Sequence, residues 1–186
     1  MKTNNVFVYP TETSYGIGCD ARNVEAVKKI FKIKGRDAKK TVTLIAFDKK
    51  MVLKYVAKPV AEIVRVMDGY WPGPLTLVLP ANAYARKMLA PGIIRRDGTI
   101  GIRVSANKIA RELSQHIGGP IVATSANQSG EPACYSISAV RRAFKNSSLK
   151  PDIVIDEGRL PKRPASTIVR YKNKKWEIIR PGSIQL

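Results

Sequence analysis

The sequence predicts an α/β domain with a twisted, mixed and partly antiparallel sheet flanked by helices. Two observations carry this: short apolar strand-like runs alternate with segments of helical periodicity, and the chain closes on two strand-like runs separated by a turn at Asn173. Sheets of this kind bind ligands in crevices at their strand ends.

The run 6–9 (Val6, Phe7, Val8, Tyr9) reads as the first strand, and 10–20 as a glycine-containing loop. Asn23 is placed to cap a helix to about Lys34, with Val24, Val27, Ile30 and Phe31 at helical spacing and Gly35 as its stop. Segment 41–47 reads as a buried strand. Pro59 opens a second helix, with Val60, Ile63, Val64 and Met67 on one side and Gly69 at its end. The turn Trp71-Pro72-Gly73-Pro74 leads into a strand over 75–79. A further strand over 100–105 precedes a helix carrying Ile109, Ala110 and Leu113, broken by Gly118-Gly119-Pro120. The strand 121–124 follows, Ser136 caps a helix to Phe144, and strands over 153–155, 167–171 and 175–179 complete the set.

At 186 residues the chain is expected to be a single domain over 1–186, and 44% apolar content suffices for a core. No run approaches the ~18 apolar residues of a membrane span, and the first residues lack the pattern of a signal peptide. A soluble, cytoplasmic protein with no membrane partner is the expectation. Cys19 and Cys134 are isolated, so neither a disulfide framework nor a metal site is indicated. The lone His116 has no ligand or triad partner and reads as a surface or boundary residue. No GxSxG elbow, Walker motif or GxGxxG is present, which excludes serine hydrolases and standard nucleotide folds.

Charge is the unusual quantity. Thirty-three Lys and Arg against fourteen Asp and Glu give a formal +19, which attracts polyanions. The basic pairs are scattered along the chain, so a solvated basic surface and direct RNA contact both remain open.

Three polar clusters sit where apolar runs give way to loops: Lys34-Gly35-Arg36, Ser125-Ala126-Asn127 and Arg180-Pro181-Gly182. A guanidinium grips phosphate or carboxylate bidentately and an ammonium acts as a point charge. The first cluster could equally be the basic end of a helix favoured by its dipole, and the second a turn with a cap. Thr11 to Gly16 offers hydroxyls and the Glu12 carboxylate. Arg103, inside the apolar run Ile102-Arg103-Val104, must face solvent, a partner or a bound anion.

Taken together these segments resemble the YrdC/TsaC family of threonylcarbamoyl-AMP synthases, in its short form. The matching stretches are YPTETSYGIGCDA from Tyr9, KGR from Lys34, WPGPLTLVLP from Trp71, TIGIRVS from Thr99, TSANQSGEP from Thr124, STIV from Ser166 and RPG from Arg180. The resemblance implies a YrdC-like fold with a concave basic face. It implies a nucleotidyltransferase that joins L-threonine, bicarbonate and ATP into L-threonylcarbamoyl-adenylate and pyrophosphate. A transferase complex then modifies the adenosine beside the anticodon of tRNA. ATP is a substrate, and Mg²⁺ is expected to arrive with it.

By resemblance, Lys34, Arg36, Ser125 and Asn127 line the reaction centre. Thr13, Arg103, Ser125 and Ser166 hold threonine or its carbamate. Arg36, Lys40, Thr99, Asn127 and Arg180 contact ATP. The chain departs from the family pattern where Thr41-Val42 replaces Pro-Leu, Tyr135 replaces a threonine and Arg170 replaces an aspartate; relatives also usually carry a helix ahead of the first strand. The alternative function is a non-catalytic module that binds double-stranded RNA, tRNA or rRNA through the basic face. The related carbamoyl-adenylate step of hydrogenase maturation is set aside because its accompanying acylphosphatase and zinc-finger regions do not occur.

Overall fold

The computed structural model describes residues 4–35 and 42–186. Nine strands form one sheet: β1 (Phe7–Pro10), β2 (Tyr15–Gly18), β3 (Thr43–Ala46), β4 (Leu75–Pro80), β5 (Thr99–Val104), β6 (Ile121–Ser125), β7 (Ile153–Val154), β8 (Thr167–Lys172) and β9 (Lys175–Arg180), in the spatial order β7-β1-β2-β6-β3-β5-β4-β8-β9. The pairs β1–β7, β3–β5 and β4–β8 are parallel and the others antiparallel, so the sheet is mixed as expected.

Among the described residues six helices accompany it: α1 (Val24–Ile33), α2 (Lys49–Tyr55), α3 (Ala61–Tyr70), α4 (Ala83–Met88), α5 (Lys108–Ile117) and α6 (Ile137–Ala143). Five have a side chain at the N-cap accepting from a backbone N–H in the first turn: Asn23, Asp48, Asn82, Asn107 and Ser136. Gly35 and Gly118 take the left-handed conformation that closes α1 and α5. The β8–β9 hairpin turns on Asn173 and Lys174, both at positive φ, as a two-residue turn matched to strand twist requires.

Alternation along the strands separates two faces. Val8, Ile17, Leu44, Leu77, Ile102 and Val122 point into the main core, which takes Ala26, Val27 and Ile30 of α1, Val52 and Tyr55 of α2, Ile63 and Met67 of α3, and Val140 of α6. The other face is covered only in part: Ala110 and Ile117 of α5 pack on Phe7, Tyr9, Ile45 and Ile121. Beyond α5 that face carries Thr43, Thr76, Gly101, Arg103 and Ser125. This uncovered stretch positions the site.

Several expectations are corrected. Residues 15–18 form a strand rather than part of a loop. β2 pairs with both β1 and β6, and all four of its residues are buried. Its two glycines hid the strand from a propensity reading, yet close packing calls for them: a Cβ on Gly18 would lie 2.0 Å from the Val122 carbonyl oxygen. The helices α2 and α4, seven and six residues long, were not anticipated, because so short a helix shows little periodicity. Gly69 lies inside α3, which ends a residue later. The buried side of α1 is Ala26, Val27, Ile30 and Ile33, while Val24 is exposed, as is Val60 ahead of α3. His116 is exposed, as anticipated. Among the described residues no helix is long and apolar enough to cross a membrane.

Two glycines give opposite expectations. Gly18→Ala forces backbone apart and is expected to cost about 1–3 kcal/mol. Gly69→Ala meets nothing within 4 Å and is expected to add about 0.5–1 kcal/mol through helix propensity. Urea denaturation of the two variants checks both signs, and a neutral Gly18→Ala would contradict the packing of β2 on β6.

Candidate functional site

A cavity of about 350 Å³ opens on the uncovered sheet face, within the size range of small-molecule pockets. Its floor is strand: Tyr9 of β1, Gly16 of β2, Thr43 of β3, Arg103 of β5 and Ser125 of β6. Its walls are loops carrying Thr13, Arg95, Asn127, Glu131, Arg163 and Ser166. Gly16 and Ala123 keep the floor low; a Cβ on Gly16 would sit 3.2 Å from the Tyr9 ring.

Arg103 stands in the middle of this floor. It is only 6% exposed, and a guanidinium at that depth needs a counter-charge. Glu12 supplies it: the Arg103 Nε lies 3.2 Å from the carboxylate, and both side chains are almost fully buried. The contact is an ion pair without hydrogen-bond alignment. The other Glu12 oxygen accepts from the Ser105 hydroxyl, which fixes the carboxylate from behind. Arg103 also donates to the Ser166 hydroxyl at 3.4 Å.

Ser166 joins two cations. Its Oγ accepts from Arg180 at 2.9 Å and lies 3.0 Å from the Thr76 hydroxyl, while its carbonyl accepts two more Arg180 hydrogen bonds. Partial desolvation and, secondarily, the nearby Arg103 charge lower the Arg180 pKa from its ordinary value. Two guanidiniums that meet at one hydroxyl, with one carboxylate between them, leave a positive charge for an incoming anion. Thr13 faces the same hollow, its hydroxyl 3.0 Å from that of Thr11, which in turn is tied to the Ser14 carbonyl.

The Ser125–Asn127 turn forms the opposite wall. Ser125 donates to the Asn127 amide oxygen at 2.5 Å, and the Asn127 amide nitrogen donates to the Glu131 carbonyl. Lys34 lies underneath rather than in the cavity wall. It is 1% exposed, and its ammonium donates to the Ser125 carbonyl at 2.5 Å, the Asn127 carbonyl at 2.7 Å and the Asn127 side chain at 3.1 Å. The C-cap of α1 thus braces the turn that presents Ser125 and Asn127. Arg36 and Lys40 lie outside the described residues.

Thr99 is placed differently. It shares a strand face with Arg103 but sits four residues away, beyond the cavity wall, where its hydroxyl donates to Asp97 at 2.6 Å. Asp97 also pairs with Arg170 at 2.7 Å. The Thr99 hydrogen bonds first, with Arg170 in support, hold its carboxyl below the usual range.

Contributions that the sequence reading did not assign are Glu12 as the Arg103 counter-ion and Arg95, Arg163 and Tyr135 as lining. Tyr15 also pins the irregular segment after β7. Its hydroxyl donates to the Gly158 carbonyl and accepts from the Glu157 N–H, both at 2.9 Å. That segment then lines the hollow at Arg163 and Ala165, and Tyr135 donates to the Arg163 carbonyl at 3.3 Å. A pairing between residues ninety-one apart in the chain, such as Glu12 with Arg103, has no local signal; only an arginine inside an apolar strand hinted at it.

The mixed sheet, covered on one side and bearing convergent arginines and hydroxyls on the other, defines an α/β protein with a polar, cationic hollow on its open face. Its relatives make the class specific. The family model of Sua5, YciO and YrdC, described as "Telomere recombination", matches residues 1–182, and the chain belongs to this family. A protein of Halorhodospira halophila named threonylcarbamoyl-AMP synthase is 38% identical over 77% of this chain and 73% of its own length. One of the same name from Idiomarina loihiensis is 39% identical over 82% and 79%. Among solved structures, Pyrococcus abyssi Sua5 complexed with L-threonine superposes with a TM-score of 0.84 at 31% identity, covering 96% of this chain and 51% of that one. The chain therefore spans about half the length of that archaeal protein. Escherichia coli YciO gives 0.79 at 25% identity, covering 96% and 83%.

Removing the brace under the turn gives a direct check. Lys34→Met takes the donor from the buried Asn127 carbonyl and one of two donors from the Ser125 carbonyl, which keeps the Asn127 N–H at 2.9 Å, and is expected to cost about 1–3 kcal/mol. Native-state hydrogen exchange should show the Asn127 amide losing protection ahead of the sheet. Unchanged stability and exchange would show that the ammonium does not hold this turn.

Proposed function

We propose that the chain is a threonylcarbamoyl-AMP synthase, acting as one unit over 1–186, that forms L-threonylcarbamoyl-adenylate and pyrophosphate from L-threonine, bicarbonate and ATP. The observation that carries the reading is the convergence of Arg103 and Arg180 on Ser166, facing the Ser125–Asn127 turn across one hollow. The relatives named for this activity, and the archaeal neighbour named for its threonine complex, support it.

The chemistry asks for positioning more than for a nucleophile. The threonine amine takes up the carbon of bicarbonate, with loss of water, to give a carbamate. A carbamate oxygen then attacks the α-phosphorus of ATP, the bond to the bridging oxygen breaks, and pyrophosphate leaves. Every participant is anionic or carries a carboxylate, so the barrier contains mutual repulsion that fixed cations relieve. In this reading Arg103, held by Glu12, orients the threonine carboxylate with Ser166 and Thr13. Ser125 and Asn127 face the carbamate and the α-phosphate, and Arg36, Lys40, Thr99 and Arg180 contact ATP. Mg²⁺ carried on the triphosphate supplies further charge neutralisation when bound. Among the described residues Glu131 is the carboxylate lining the hollow. A transferase would then carry the threonylcarbamoyl group to the adenosine beside the anticodon of tRNA, in the cytoplasm.

The formal charge of +19 favours a second property, direct contact with RNA through the basic face.

Incubation with ATP, Mg²⁺, bicarbonate and labelled threonine is expected to release pyrophosphate only when threonine is present. Arg36→Ala is expected to abolish product with the melting temperature unchanged, and Arg103→Gln to raise the KM for threonine at least about tenfold, the loss of one charge-assisted hydrogen bond. Threonine-independent release, or wild-type turnover in both variants, would defeat the assignment. Binding to a short RNA duplex is expected to weaken steeply between 50 and 200 mM salt, on the order of 10³-fold for about six phosphate contacts; titration at the two salt concentrations reads it, and a salt-independent affinity would remove the RNA contact.

A further inference from the structure

A second group of arginines stands on the same sheet face, beside the hollow. The register places Thr43 opposite Gly101, Gly101 opposite Val78 and Val78 opposite Arg170, so one row crosses four strands. Gly101 leaves a gap in that row, and Arg95 lies over it. A Cβ there would meet the Arg95 guanidinium at 3.7 Å and the Thr43 methyl at 3.2 Å. Arg95 is held by a tight loop: its N–H donates to the Thr99 carbonyl at 2.8 Å, and its carbonyl accepts from Gly98 at 2.9 Å. Gly98 takes φ +76° to allow this.

The charges in this group do not balance. Asp97 is its carboxylate, and Asp97 is engaged by Thr99 and Arg170. Arg95 makes no ion pair or side-chain hydrogen bond among the described residues, although it is half-buried and lines the cavity. Its Nε and that of Arg170 are both buried without an acceptor among the described residues. Burial first, then the neighbouring Arg170 charge, lowers the Arg95 pKa from its ordinary value, and Asp97 offsets this only in part. Two guanidiniums that each keep an unused buried donor, over a floor left open by a glycine, are arranged for an acceptor that the described residues do not supply.

We propose that Arg95 and Arg170, with the 95–99 loop, form a separate polyphosphate subsite that takes the terminal phosphates of a nucleoside triphosphate or free pyrophosphate. Gly101, over which the Arg95 guanidinium lies, and Arg170 are two strands apart, about 10 Å across the sheet, a span suited to linked phosphates rather than to one carboxylate. The nucleotide's phosphate tail and the amino acid's carboxylate then fall to different arginines: Arg95 and Arg170 take the first, and Arg103 the second. The subsite rests on the synthase reading for its ligand's role in the reaction but not for its existence.

The test is calorimetric binding of inorganic pyrophosphate, tripolyphosphate and ATP to the intact chain and to Arg95→Gln, Arg170→Gln and the distant surface control Lys28→Gln. Pyrophosphate affinity is expected to fall at least about tenfold in Arg95→Gln and about threefold or more in Arg170→Gln, with threonine affinity and melting temperature unchanged. Arg95→Lys, which keeps the charge but not the fork, should recover part of the loss and serves if Arg95→Gln folds poorly. Weakening for tripolyphosphate and ATP with pyrophosphate unaffected would assign the subsite to the triphosphate tail; weakening for pyrophosphate as well would include the released product. Equal binding of all three ligands by wild type and Arg95→Gln overturns the proposal. Arg95-dependent pyrophosphate binding in a protein that makes no adenylate would sink the synthase reading and leave the subsite standing.

Discussion

The buried pair of Arg103 and Glu12 is the constraint around which the open face is organised. Placing a guanidinium at 6% exposure in the middle of a sheet carries a desolvation penalty of several kcal/mol, and a carboxylate beside it repays that only if both are well held. Both are. Glu12 is anchored by Ser105 at the end of β5, and Arg103 is fixed by its strand and by Ser166. The pair cancels its own charge, so the net cation at the first subsite comes from Arg180, which approaches Ser166 from the end of β9. Strand order makes this possible: β8 brings Ser166 beside β4, and β9 brings Arg180 back along β8.

The hollow also requires that one side of the sheet stay partly bare. The helices α1, α2, α3 and α6 feed one core, whereas α5 alone packs on the other face. Small residues at Gly16, Gly101 and Ala123 keep the bare portion low, and polar side chains line its edges. Lys34 shows the same economy from underneath. A lysine at the end of α1 would ordinarily snorkel into water, favoured by the helix dipole. Here it turns inward and donates to two carbonyls where β6 runs into the turn.

How much of this could be read from the chain follows the range of the interactions. The long helices were legible because capping residues and 3.6-residue spacing are local, as at Asn23 and Gly35 around α1. The closing hairpin was legible because Asn173 tolerates the left-handed turn. β2 was not, since Tyr-Gly-Ile-Gly owes its strand conformation to β1 and β6 on either side rather than to propensity. The helices α2 and α4 are too short for periodicity, although Asp48 and Asn82 marked their starts. The site divides in the same way. Arg103 stood out because a charge within an apolar strand needs a reason, but its partner Glu12 lies ninety-one residues earlier and is found only by folding. Arg95 gave no signal, because an arginine in a polar loop is unremarkable until Gly101 is seen to leave room beneath it.

These placements bear on what the basic composition does. A uniform field of +19 would draw phosphates anywhere on the surface; the open face is more selective. Four of its arginines come in two groups, each with one acid among the described residues, Glu12 for Arg103 and Asp97 for Arg170. An acid in each group lowers the cost of holding like charges close together and fixes the geometry of one guanidinium. It leaves the other, Arg180 or Arg95, as the uncompensated cation. A face of unpaired arginines would repel itself and collapse on any polyanion, whereas paired ones present a defined charge at a defined place. Two anions that repel one another can be held side by side on such a face, each against a defined charge.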